Sequence, residues 1–510
     1  MRDVGARGIS MELRSGVKRG AFLAGLRALG LTWIKARPRR PRHSRRMAAV
    51  TDRPLDPDLL DANMRRHDVA GPRYTSYPTA DRFVEAHQAP QHLQALAQRG
   101  AAQPLSVYVH IPFCEQVCYY CACNKVITRH HERAQPYLAA LEVEMDLVAS
   151  ALGGHAPLSQ LHLGGGSPTF LSDAELGLLM DALRRRFRLL PGAELSIEVD
   201  PRTVDAARLA HLKDLGFNRL SFGVQDFDSA VQKAVHRVQP MASVAALMRS
   251  ARALGFASIS VDLIYGLPLQ TPASFAHTIG QVAELRPDRI AMYAYAHLPQ
   301  RFKPQRRIVA ELLPAAGDKL SMLSGAISAL LGEGYAYIGM DHFALPDDPL
   351  AIAKRQGLLH RNFQGYSTQP DCDLVGLGVS AISRVGATYA QNAKTLDEYQ
   401  DALHQRQLPV QRGLALTRDD LLRRAVIMAL MCQGRLEFES VAASYLVDVP
   451  SYFAAEFERL AHLEGQGLVV LEPQAIQVTP LGWYFVRAVA MVFDRYLQAD
   501  ASRERFSKII

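Results

Sequence analysis

Between residues 105 and 295, short apolar runs alternate with stretches whose apolar residues fall at helical spacing. The runs cover 106–109, 160–163, 194–199, 219–223, 258–265 and 289–295, and each is strand-sized and bounded by turn-forming residues. The segments between them read as helices. Ser172 and Glu175 make a capping box ahead of Leu176, Leu179 and Leu183. In 243–254, Val244, Leu247, Met248, Ala251 and Leu254 mark one face, and Gly255 is placed to end the helix. Six strand–helix units in succession predict an α/β fold with a parallel sheet.

The pattern changes at both ends of this region. Residues 68–80 hold two prolines and alternating hydroxyl-bearing side chains, which predicts an extended segment. From Thr417, an N-cap starts an apolar helix through Met431, a second helix spans about 451–463, and 468–479 reads as a hairpin before a final helix. That order predicts a mainly helical, winged-helix-like C-terminal domain, an architecture often used to bind DNA. Residues 415–510, however, hold 10 Lys/Arg against 12 Asp/Glu, so the electrostatic footprint of a DNA binder is missing.

Charge and composition add one correction. The formal net charge of +8 over 510 residues suggests a polyanion partner. Yet residues 1–46 carry 13 Lys/Arg and 2 Asp/Glu, which leaves the rest mildly acidic. The leader is expected to be a disordered extension, with the functional chain starting near Met47. No run reaches the roughly 18–20 apolar residues that span a bilayer. Four of the six cysteines cluster in one loop, unlike a disulfide framework, so a reducing cytoplasm is expected.

That loop carries the chemistry. Cys114, Cys118 and Cys121 are spaced Cys-x3-Cys-x2-Cys directly after the first strand, and Cys123 follows two residues later. A structural zinc loop would be closed by a second Cys/His pair, and a redox dithiol needs only two thiols. Three thiolates holding a [4Fe-4S] cluster leave one iron open to a small molecule, whereas four make a site that only carries electrons. Further along, Gly164–Gly165–Gly166–Ser167 follows the second strand, Glu198 and Asp200 end the third, Gln225 and Asp226 the fourth, and Asp262 lies in the fifth. A carboxylate on an apolar strand is costly unless it is paired or bound to a ligand.

The cysteine triad resembles that of the radical S-adenosylmethionine enzymes. The flanking residues Val109–Cys114, the Cys121-x-Cys123-Asn124-Lys125 run and the 68–80 segment resemble the oxygen-independent coproporphyrinogen III oxidase family. The resemblance implies a partial TIM-type (β/α)6 barrel over 101–340, an N-terminal segment over the active site and a C-terminal substrate or cap domain over 341–510. It implies the cluster on Cys114, Cys118 and Cys121, and two molecules of S-adenosylmethionine. One would meet Tyr108, Gly165, Glu198 and Ile382; the other Tyr120, Gly166, Ser167, Gln225, Arg237, Asp262 and Ala296. The family usually has Thr at Ser167 and often Phe at Tyr120. Residues 337–343 and 361–366 would face the substrate.

The implied reaction is oxidative decarboxylation of two propionates of coproporphyrinogen III to vinyl groups, through a 5′-deoxyadenosyl radical. Expected partners are that substrate, an external one-electron reductant and an electron acceptor, with no nucleic acid, no membrane and a monomeric state. A related haem-binding chaperone would share cluster and barrel but lack the 68–80 segment and the Cys121-x-Cys123 pair.

Overall fold

The computed structural model describes Asn63, Arg66, His67 and residues 71–369 and 372–499. The basic leader and residues 68–70 of the predicted extended segment lie outside them. The six expected strands are all present: β1 (Leu105–Ile111), β2 (Ala156–Gly165), β3 (Phe187–Val199), β4 (Arg219–Gln225), β5 (Ser258–Tyr265) and β6 (Arg289–Ala294). They pair side by side and parallel in chain order.

Helices fill the crossovers: α1 (Ala134–Ala151), α2 (Asp173–Arg186), α3 (Ala206–Asp214), α4 (Met241–Ala253) and α5 (Pro272–Leu285). The capping box at α2 forms, with the Ser172 hydroxyl accepting from the Glu175 amide at 3.3 Å and the Glu175 carboxylate accepting from the Ser172 amide at 2.8 Å. Leu105, Val107, Val109 and Ile111 of β1 are buried, and so is Ser106 between them, whose hydroxyl donates to Gln160 Oε1 at 3.0 Å. Burial on both faces is what a parallel strand covered by helices requires.

The sheet is wider than the six strands. β7 (Ala336–Gly339) and β8 (His342–Ala344) add an antiparallel hairpin beyond β6. On the other edge, β9 (Asp373–Leu377) runs parallel beside β1, and β10 (Ile382–Val385), β11 (Thr388–Asn392) and β12 (Val410–Ala415) continue antiparallel. The result is an open, mixed sheet of twelve strands, ordered β12-β11-β10-β9-β1-β2-β3-β4-β5-β6-β8-β7. It contains the expected parallel (β/α)6 run as a partial barrel, and it takes in residues on both sides of position 340.

The C-terminal module matches the winged-helix-like pattern. α6 (Arg418–Gln433) starts at Thr417, whose hydroxyl accepts from the Asp420 amide. A small antiparallel sheet joins β13 (Arg435–Glu437), β14 (Val469–Glu472) and β15 (Ala475–Val478). The second expected helix is split into Val449–Tyr452 and Ala454–Gly465, with Phe453 between them in a non-helical conformation. The final helix is likewise broken into Pro480–Tyr484, Val486–Met491 and Arg495–Ala499.

Residues 71–79 carry no helix or strand. Tyr74 and Tyr77 are nevertheless deeply buried, at 1% and 0% exposure. The Tyr74 hydroxyl donates to Asp494 Oδ2 at 3.0 Å, Arg487 donates to the carbonyls of Gly71 and Pro72, and the Tyr389 hydroxyl donates to the Tyr77 carbonyl. The segment is therefore held between the C-terminal module and the sheet.

Candidate active site

A two-residue strand, Phe113–Cys114, pairs with Val126–Ile127 and closes residues 115–125 into a loop. The loop is pinned from several sides. Lys125 Nζ donates to the carbonyls of Cys121 and Cys123, Asn124 Nδ2 to that of Lys394, and the Tyr119 amide to that of Val235. These bonds hold Cys114, Cys118, Cys121 and Cys123 at the wall of one cavity of about 170 Å³.

The strand ends supply more of the lining: Gly165, Gly166, Ser167, Glu198, Gln225 and Asp262, with Tyr120 from the loop and Arg237 from the crossover after β4. Parallel strands present their C-terminal ends on one side, which is why residues from β2 to β5 converge. Three predicted residues stand off this lining. Tyr108 packs just behind it, stacked on His162 and within 3.0 Å of where a Gly164 Cβ would sit. Ala296 is linked through Gln305, which donates to the carbonyls of both Ala296 and Tyr120. Ile382 lies on β10 and is not part of the lining.

The glycine triplet is demanded first by the protein itself. Gly165 has φ +121°, and a Cβ on Gly166 would sit 2.6 Å from the Pro112 carbonyl oxygen. Both residues therefore let β2 end directly against the strand that leads into the cysteine loop. Gln225 adopts φ +67° without being glycine, a strained conformation of the kind that collects at functional sites.

Two arginines bring positive charge to the cysteine loop at Cys118. Arg237 Nη1 donates to Cys118 Sγ at 3.4 Å and Arg202 Nη2 at 3.6 Å. Asp200 bridges the two arginines, at 2.6 Å from Arg202 and 3.3 Å from Arg237. Burial pushes the Asp200 carboxyl up, but the two guanidinium groups outweigh it and leave it below its ordinary range. Burial, with Cys121 and Cys118 nearby, raises the Cys114 thiol to about 12. Cys123 hydrogen-bonds Cys121 and lowers it to about 6, so Cys121 is the thiolate of that pair. Three thiols crowded beside two arginines suit a cluster that takes up their negative charge. Among the described residues, no three His, Cys, Asp or Glu side chains are placed to hold one metal ion.

Sequence reading missed three contributors. Arg202 sits in the loop after β3; its signal was the Asp200-Pro201-Arg202 turn, read only for its carboxylate. Lys125 anchors the loop from inside it. His162 donates or accepts at Ser196 Oγ, 2.6 Å, and lies 3.4 Å from Glu198 Oε1, as a polar residue between Leu161 and Leu163 on β2. Glu198 also accepts from the Gly165 amide at 3.2 Å, which fixes its carboxylate toward the cavity.

Asp262 gives a pH test. Burial raises its carboxyl to about 7, although the Ser221 hydroxyl bonds it at 2.9 Å. Its folded pKa lies above its unfolded one, so its contribution to stability is complete below the unfolded pKa and is lost as pH rises through 7. Relative to Asp262→Asn, the native protein is expected to lose about 1–2 kcal/mol between pH 5 and pH 8. Urea midpoints of both proteins at the two pH values check this; a constant difference would refute it.

The class of protein follows from matching this arrangement to known families. Residues 108–282 match the radical SAM superfamily, and 416–485 match the HemN C-terminal domain. A [4Fe-4S] cluster and S-adenosylmethionine are thus the cofactors of this chain's class. The oxygen-independent coproporphyrinogen III oxidase of Pseudomonas aeruginosa is 50% identical over 460 residues, 89% of this chain and 100% of that one. The Escherichia coli protein of the same name is 48% identical over 456 residues, 89% of this chain and 99% of its own. The solved structure of the E. coli coproporphyrinogen III oxidase HemN, described as a radical SAM enzyme, superposes with a TM-score of 0.83 at 48% identity, over 87% of this chain and 100% of that one. The chain belongs to the oxygen-independent coproporphyrinogen III oxidase family.

Proposed function

We infer that this chain oxidises coproporphyrinogen III without oxygen in haem biosynthesis, turning two propionates into vinyl groups with loss of carbon dioxide to give protoporphyrinogen IX. The observation that carries this reading is one cavity walled by the cysteine loop and four successive strand ends, in a chain 50% identical to a protein of that name. When bound, the cluster and S-adenosylmethionine supply one-electron cleavage chemistry that abstracts hydrogen from the substrate.

The chain's own residues bind, orient and shield. Cys114, Cys118 and Cys121 hold the cluster, and Arg202 and Arg237 offset its negative charge. Tyr108, Gly165, Glu198 and Ile382 serve the cluster-bound S-adenosylmethionine. Tyr120, Gly166, Ser167, Gln225, Arg237, Asp262 and Ala296 serve a second molecule. Glu198, held by the Gly165 amide, offers its free lone pairs to ligand N–H or O–H groups. The 71–79 segment and residues 341–510 cover the substrate side.

The electron enters from an external reductant, and a separate acceptor takes the electron released with each carbon dioxide. The protein acts as a monomer in the cytoplasm; among the described residues, no helix is long and apolar enough to cross a membrane. Anaerobic reconstitution followed by product analysis tests the reading. Vinyl-bearing product from coproporphyrinogen III is expected. Cluster formation with haem binding but no vinyl product would instead identify a chaperone.

A further inference from the structure

Tyr293, in β6, feels the charges of Asp262 and Glu198 of the cavity and those of Arg73 and Arg361. The Arg73 guanidinium stands 5.3 Å from the Tyr293 ring centre, and that of Arg361 stands 4.6 Å from Tyr366. Arg361 is 5% exposed, and its Nε donates to the Arg73 carbonyl at 3.3 Å. Among the described residues, Arg361 Nη1 and Arg73 Nη2 are buried without a hydrogen-bond partner. Arg487 is bound to the carbonyls of Gly71 and Pro72, directly before Arg73, and so positions it.

Asp341 faces all three guanidinium groups. It comes from a tight β7–β8 turn in which Met340 and Asp341 both take positive φ, at +47° and +62°. A two-residue hairpin turn of this kind requires positive φ at both positions; Asp tolerates it, whereas Met340 is strained there. One carboxylate against two buried arginines, Arg361 and Arg487, and the half-buried Arg73 leaves an excess of positive charge, which is costly away from water until an anion enters. Two guanidinium groups, each with one buried nitrogen left without a partner and each over a tyrosine ring, fit a carboxylate on an aromatic heterocycle.

We propose that Arg73 and Arg361 form a clamp for a propionate carboxylate of the tetrapyrrole, placing the substrate across Tyr293 from the S-adenosylmethionine cavity. The proposal rests on the function inferred above. It assigns Arg73 and Arg361 to substrate contact and Arg487 to positioning the segment that carries Arg73.

The test compares Arg73→Ala and Arg361→Ala with the native protein, all reconstituted anaerobically. Each variant is expected to raise KM for coproporphyrinogen III by about tenfold or more, the loss of one charge-assisted hydrogen-bonded contact. Iron content, and cleavage of S-adenosylmethionine in the absence of porphyrinogen, should stay at native levels. Arg361→Lys should fall between, because it keeps the charge and loses the fork; it also decides the matter if the alanine variants do not fold. The tetramethyl ester of coproporphyrinogen III, with its carboxylates masked, should bind the native protein poorly and be insensitive to both substitutions. Variants that keep native KM with full iron overturn the clamp, and so does an ester that is equally sensitive. A native protein that makes no vinyl product overturns the inferred function and the clamp with it.

Discussion

Replacing Cys114, Cys118 or Cys121 singly by alanine is expected to strip the protein of most of its iron and abolish decarboxylation, while Cys123→Ala keeps its cluster. All four thiols border the same cavity, so position alone does not separate them. Bonding does. Arg237 and Arg202 address Cys118, and Cys123 acts as hydrogen-bond partner to Cys121, keeping the proton while Cys121 becomes the thiolate. A cubane held by three thiolates cannot rest on two, whereas losing Cys123 removes one hydrogen bond to a ligand. Removing that bond should also make the Cys121 thiol less acidic, so the Cys123→Ala cluster should assemble more slowly at low pH. Iron and sulfide content, with visible absorbance after reconstitution, are the readouts. Equal iron loss in all four variants would show that the three-ligand assignment is wrong.

The second large effect is expected at Glu198. Its carboxylate is held in place by the Gly165 amide and by His162, yet it borders the cavity with lone pairs to spare. Removing a partner of a charged ligand group costs about 1.5–3 kcal/mol, so Glu198→Ala should lose roughly tenfold or more in affinity for S-adenosylmethionine. Gln225→Ala and Asp262→Ala take away groups from the neighbouring strand ends. They should depress decarboxylation more than they depress formation of 5′-deoxyadenosine without porphyrinogen, while Glu198→Ala should suppress both. A purely structural role for Glu198 predicts lower folding stability with unchanged affinity per folded molecule. Near-normal turnover in all three, at full cluster content, would move the cofactor site elsewhere.

The parallel sheet was legible because its strands are short apolar runs separated by capped helices, and the strand at 258–265 coincides with Ser258–Tyr265. The outer strands were not. β8 and β10 have three and four residues, and β9, β10 and β12 break their apolar positions with glycine, serine or arginine, so no period shows. The cysteine loop declared itself by spacing, since its four thiols lie within ten positions. The arginines did not. Arg202 meets Cys118 across 84 positions and Arg361 meets the Arg73 carbonyl across 288, and a single guanidinium in a sequence resembles any surface charge. The glycine triplet stood out in the sequence by its place after the second strand, but much of what crowds it in the fold comes from Pro112, His110 and Glu198 of the chain itself.

The way residues 71–79 are held has a consequence for the order in which the protein is built. The segment leaves the ribosome early, yet its partners at Arg487 and Asp494 lie 416 and 420 positions later. Chains of this size fold piecewise as they are synthesised, and contacts so distant in sequence close only when both ends exist. The parallel sheet and the cysteine loop can therefore assemble while Tyr74 and Tyr77 still lack their partners in the C-terminal module. The wall that carries Arg73 is the last to be set, after translation is almost finished. A ribosome-bound chain stopped near residue 415 should protect the sheet from protease and leave the 71–79 segment open to cleavage.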